Sequence, residues 1–99
     1  MKITDVRIRQ LFEKRGRLKA IVSVALDDAI AVHNIKIIQG DDRLFLAMPT
    51  RQDVNGAFID IVHPIDNRVR DELEGKVLNC YLAALMDFEY ESKRQEKSA

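Results

Sequence analysis

Basic side chains crowd the first nineteen positions of this chain: Lys2, Arg7, Arg9, Lys14, Arg15, Arg17 and Lys19, opposed there only by Asp5 and Glu13. Arginine and lysine gathered on one face suit a phosphate backbone, because they displace its condensed counterions. The same residue types also serve as ordinary solvated charge on strand faces and edges. Arg51 is the second candidate. It follows Met48-Pro49 in a polar stretch that ends in Asn55-Gly56, where a loop on a rigid scaffold lets a side chain project freely.

The other chemistry-bearing residues do not assemble into a catalytic pattern. Asp27-Asp28 and Asp41-Asp42 fall where turns are expected, and turns favour aspartate for reasons of backbone geometry. His33 and His63 are far apart in the chain, and no ligand set recurs at metal-binding spacing. A histidine acting as a general base also needs a positioned partner, and the spacing offers none. Cys80 lies beside an apolar stripe and reads as a small core residue. The glycines at 16, 40, 56 and 75 build no phosphate-cradling loop of the Walker or dinucleotide type. With no Trp and only scattered aromatics, a base-stacking platform is unsupported. The expectation is a binding protein without catalytic residues, metal or cofactor.

A sheet must position the basic residues. Residues 3–9 alternate from Val6 onward, with Val6 and Ile8 on one face and Arg7 and Arg9 on the other. After a polar turn at 13–17, residues 18–26 alternate again, with Leu18, Ala20, Val22, Val24 and Leu26 opposite Lys19, Ile21, Ser23 and Ala25. Alternation of this kind marks half-buried strands. If these two strands pair, Arg7, Arg9, Arg17 and Lys19 share one sheet face. Further strands are expected at 30–38, 44–48 and 58–62, with an exposed loop over 50–56 that Pro49 opens, since proline donates nothing to a ladder. From Asp66 the period changes. Val69, Leu73, Val77, Tyr81, Leu85 and Phe88 recur at spacings of three and four, with Cys80 and Ala84 beside them, which predicts an amphipathic helix capped by Asp66 or Asn67. Gly75 sits inside it. The expected fold class is α+β: an antiparallel sheet of about five strands followed by a long C-terminal helix. A single domain over 1–90 and a charged, frayed tail over 91–99 complete that reading.

Composition bounds the function. The chain has 99 residues, which is one domain. Its sixteen basic and sixteen acidic side chains give no net charge, so a protein that coats nucleic acid by bulk charge is excluded while a local patch is not. One cysteine permits no internal disulfide and suits a reducing compartment. The N-terminus has no signal-peptide core, and no apolar run approaches the roughly 20 residues that span a bilayer. A cytoplasmic protein with no membrane contact is expected. Ile21 and Ala25, off the main core face, suggest a second buried surface, such as a contact with a second subunit.

Several segments in order resemble one family. They are MKITDVRIR at 1–9, LKAIVSVALDD at 18–28, VHNIKIIQG at 32–40, LFLAMP at 44–49 and GAFIDIVHPI at 56–65, with the start of the helix. Together they resemble the SpoVG family of small bacterial regulators, named for a role in sporulation and septation, over about residues 1–75. The resemblance implies an α+β homodimer that binds DNA, RNA or both, regulates gene expression or septum formation, and has no cofactor, catalytic activity or small-molecule substrate. In that family the segment after Met-Pro usually reads as Ser or Asn, then two basic residues, then Ser or Thr. Here Thr50 stands at the first position and Arg51 matches the first basic one, while Gln52 replaces the second basic residue and Asp53 replaces the hydroxyl. The resemblance therefore implies contacts from Arg51, Thr50 and Gln52, backbone contacts from Arg7, Arg9, Arg17 and Lys19, and affinity weaker than or differently tuned from that of typical members. The alternative is a protein-interaction module of the same fold whose nucleic-acid-binding loop has degenerated.

Overall fold

Alternating strands build an antiparallel meander. The computed structural model describes residues 2–12 and 16–98, with side chains through residue 87. Strands β1 (Ile3–Leu11), β2 (Leu18–Leu26), β3 (Ile30–Gln39) and β4 (Leu44–Ala47) form one sheet in the order β1-β2-β3-β4. The β2–β3 turn shows why Asp27-Asp28 serves there. Both residues have φ near 52°, and Ala29 N–H donates to the Leu26 carbonyl. Two consecutive positive-φ residues make the mirror-image turn whose twist matches antiparallel strands, and aspartate tolerates that conformation. Asp27 also accepts from Lys2 N–H, and Asp28 N–H donates to Thr4 Oγ1, which ties the start of β1 to the turn.

The expected fifth strand exists, but it does not join the sheet. Residues Phe58–Asp60 (β6) pair with Thr50–Gln52 (β5) to form a separate two-stranded ribbon. Thr50–Gln52 is therefore strand and not the loop that its polarity suggests. Pro49 interrupts the chain after β4, and Asn55-Gly56 supplies a local turn, so the nearest partner for 58–60 is the segment just before that turn. Gly56 has φ +83, a region open chiefly to glycine.

Helix α1 (Asn67–Ser98) lies across one sheet face. Asp66 is its N-cap: its Oδ1 accepts from Arg68 N–H at 2.8 Å, and its carbonyl accepts from Arg70 N–H. The core joins Ala20, Val22 and Val24 of β2 and Ile35 and Ile37 of β3 to Leu46 of β4 and to Leu73, Val77 and Tyr81 of the helix. Val6 and Ile8 pack at its edge, as do Leu78 and Leu85. Of the predicted stripe, Val69 is half exposed, and the side chain of Phe88 lies outside the described residues. The expected fraying of 91–99 likewise concerns side chains outside them; the helical backbone runs through Ser98. Among the described residues no helix is long and apolar enough to cross a membrane.

Gly75 is exposed, and a Cβ placed there meets nothing within 4 Å. Gly75→Ala is therefore expected to raise stability by up to about 1 kcal/mol, the difference in helix propensity. Urea unfolding measures it; a destabilised variant would mean that something covers this helix face.

Candidate nucleic-acid interface

The sheet presents its second face away from the helix, and this is where the basic strand residues stand. Arg7 lies opposite Ser23, and Lys36 lies opposite both Ile21 and Ala47. Lys19 stands beside buried Ala20, where the pairing of β2 with β3 shifts between Leu18 and Ala20. Within the four strands the only carboxylate is Asp5. Arg7 Nε donates to Asp5 Oδ2 at 2.8 Å, and this guanidinium holds the Asp5 carboxyl below its ordinary value. The pair partly cancels in charge, and the Arg9 charge also helps to lower the Asp5 carboxyl, while Lys36 has no acidic partner among the described residues.

Arg9 is placed by an irregularity. The pairing of β1 with β2 shifts between Ile8 and Gln10, and Arg9 Nε donates to Ser23 Oγ at 3.2 Å. Ser23 Oγ also lies 2.9 Å from His33 Nδ1. Asn34, at φ 63, marks the matching irregularity on β3, between the pairs Val22↔Ile35 and Val24↔Val32. A bulge leaves an unpaired residue and re-aims its neighbour, so Ser23 faces His33. Arg9, Ser23 and His33 thus form a hydrogen-bonded row across three adjacent strands. Arg17 does not join it. It precedes β2 and pairs with Asp41 of the β3–β4 turn at 3.1 Å.

The hairpin carries the other predicted residues. Register pairs Thr50 with Asp60, Arg51 with Ile59 and Gln52 with Phe58, and Ile61 N–H donates back to the Pro49 carbonyl. Arg51 is exposed and has no side-chain hydrogen bond or ion pair among the described residues. Its neighbours turn inward. Asp53 Oδ1 accepts from Asn55 N–H at 2.8 Å and from Ala57 N–H at 3.0 Å, while Gln52 Nε2 donates to the Gly56 carbonyl at 3.3 Å. The Asp53 carboxylate is thus engaged in building the turn, with two backbone dipoles aimed at its charge.

Apolar surface adjoins this hairpin. The segment after β6 runs beside a cavity of about 300 Å³. Ile3, Leu26, Val32 and Met48 line its sheet side, and Val62, Ile65 and Val69 line its rim. Ile65 is 93% exposed, and on the ribbon Phe58 is 72% exposed. His63 also lines the cavity, with Nδ1 3.9 Å from Asp60 Oδ2, which is beyond hydrogen-bond distance. Cys80 packs toward β1, its Sγ 3.8 Å from the Val6 carbonyl. Among the described residues no three His, Cys, Asp or Glu side chains converge as a metal site.

A four-stranded meander backed by one long helix, with a separate hairpin after a Met-Pro break, defines a small α+β protein with a basic sheet face and a projecting arginine. The family model for SpoVG matches residues 1–83, and the chain belongs to the SpoVG family. It is 52% identical over 81 residues to a protein of Desulforudis audaxviator, covering 82% of this chain and 91% of that one. It is 49% identical over 89 residues to one of Clostridioides difficile, covering 90% and 96%. With a protein of Staphylococcus carnosus the identity is 46%, over 82% of this chain and 75% of that one. Each of these relatives carries the name "Putative septation protein SpoVG", which is not an enzyme's name.

Proposed function

We propose that this chain is a homodimeric, cytoplasmic regulator that binds DNA, RNA or both, and that its regulatory targets include septation, the process for which its relatives are named. The observation that carries the reading is the hairpin: Arg51 projects without an intramolecular partner among the described residues, while Asp53, whose charge opposes phosphate, is engaged in the turn. Arg7, Arg9 and Lys19 add backbone contacts from the open sheet face. Thr50 and Gln52 flank Arg51, with the Gln52 amide already shared with the turn. Regulation then follows from occupancy of a nucleic-acid site, with no covalent chemistry. The exposed Ile65 and the apolar cavity beside it support association with a second copy, because a chain this short has a modest core and gains stability by covering such surface.

Fluorescence anisotropy with labelled DNA and RNA across a salt series tests the reading. Binding that weakens linearly in log salt is expected; absence of binding to either at low salt overturns it. Phe58 and Ile61, 72% and 63% exposed, favour a second reading, a protein-interaction module whose hairpin grips a protein partner. Capture of a specific partner from nuclease-treated lysate, without nucleic-acid binding, would decide for that second reading.

A further inference from the structure

We propose that Arg9, Ser23 and His33, with Lys36 beside them, form a phosphate-binding row on the open face of the sheet, and that protonation of His33 tightens it. The ligand is a phosphate group, either a diester of a nucleic-acid backbone or a free tetrahedral anion. The inference rests on the nucleic-acid reading only for the source of that phosphate.

Ser23 is the starting point. It is a polar side chain only 5% exposed on the face that the helix leaves open, and its hydroxyl is bonded on both sides, to Arg9 at 3.2 Å and to His33 at 2.9 Å. With a neutral imidazole, Arg9 Nε–H donates to Ser23 Oγ, and Ser23 O–H donates to His33 Nδ1. The remaining ring proton then sits on Nε2, the nitrogen not held by Ser23. When His33 takes a proton from solvent at Nδ1, that nitrogen becomes a donor. Ser23 Oγ has two lone pairs, so it accepts from Arg9 and His33 together and the row survives the change. Protonation therefore adds a full positive charge without breaking the geometry. Ser23 is a positioning residue; the Arg9 guanidinium, His33 Nε2–H and the Lys36 ammonium are the groups that meet the anion.

The surrounding charges favour an anion as the occupant. On β1, Arg7 is tied to Asp5. On β2 the charged neighbour is Lys19, and on β3 it is Lys36, opposite Ile21 and two residues along β2 from Ser23. Strand β4, LFLA, carries no titratable group, and the helix lies on the other face. No carboxylate besides Asp5 stands on these strands to compete for His33.

The test is an NMR titration of the His33 imidazole at constant ionic strength in chloride, in sulfate and with an oligonucleotide. Sulfate replaces inorganic phosphate because its charge does not change over this range. If the protonated ring binds the anion better, linkage requires the anion to raise the His33 pKa. One added charge at contact distance predicts affinity about five-fold tighter for the protonated ring than for the neutral one. His33→Gln should abolish that pH dependence, and His63→Gln should keep it. Ser23→Ala should shrink the pKa response by freeing the ring. A His33 pKa that neither ligand moves overturns the inference, as does pH dependence that persists in His33→Gln. A response to sulfate without one to the oligonucleotide supports a free-anion site and removes this face from the nucleic-acid reading. Oligonucleotide binding that depends on Arg51 but not on pH, together with a His33 pKa that sulfate leaves unmoved, supports that reading and ends this inference.

Discussion

Ile35→Ala is expected to lower the unfolding free energy by about 3 kcal/mol, the middle of the range for isoleucine truncation in a packed core. Ile35 is fully buried in β3, opposite Val22 and within the cluster that includes Leu73, Val77 and Tyr81 of the helix. The substitution removes apolar burial and leaves a cavity that the rigid sheet closes only in part. For a domain of this size such a loss lowers the melting temperature by about 15 °C. Urea unfolding at fixed protein concentration measures it, because any dimerisation makes apparent stability concentration-dependent. Ile30→Ala, at the exposed end of the same strand, should change stability by no more than about 0.5 kcal/mol. Equal effects at the two positions would contradict this placement of the core.

Arg51→Glu is expected to produce the largest loss of binding, about tenfold at each hairpin. That factor corresponds to roughly 1.4 kcal/mol, the low end for a hydrogen bond to a charged group, and the introduced carboxylate adds repulsion. If both hairpins of a homodimer engage one nucleic acid, the two effects compound to about a hundredfold. The salt dependence should become shallower by roughly 0.9 in log–log slope for each duplex phosphate that the arginine no longer neutralises. Thermal stability should stay within the small range of an exposed substitution, because Arg51 has no side-chain partner among the described residues. Unchanged affinity with an unchanged melting curve would remove Arg51 from the interface.

Much of the scaffold is legible in the chain. The alternation in 18–26 predicts a strand whose Ala20, Val22 and Val24 enter the core, and they do. Asp27-Asp28 predicts a turn, and the change of period after Asp66 predicts a helix whose Leu73, Val77 and Tyr81 are buried. These signals are local: the period of apolar residues, the backbone preference of aspartate and a capping side chain operate within a few residues. The division of the strands is not legible in the same way. Phe58–Asp60 reads as one more strand of a single sheet, yet it pairs only with Thr50–Gln52. Pairing choice depends on which edge is within reach after the Pro49 break, and alternation carries no information about that.

The basic site divides along the same line. The sequence by itself determined that Arg7 and Arg9 oppose Val6 and Ile8, and that Arg51 follows a Met-Pro break, because those are matters of parity and of proline's missing donor. Only the tertiary structure decided that Arg17 pairs with Asp41 and that Asp53 turns its charge into the hairpin. It also decided that His33, a lone strand histidine by pattern, meets Ser23, whose hydroxyl also accepts from Arg9. The physical reason is the bulge at Asn34 and the register shift beside Arg9. Each breaks the two-residue period on which reading a strand depends, so the partners they bring together become visible only once the strands are paired.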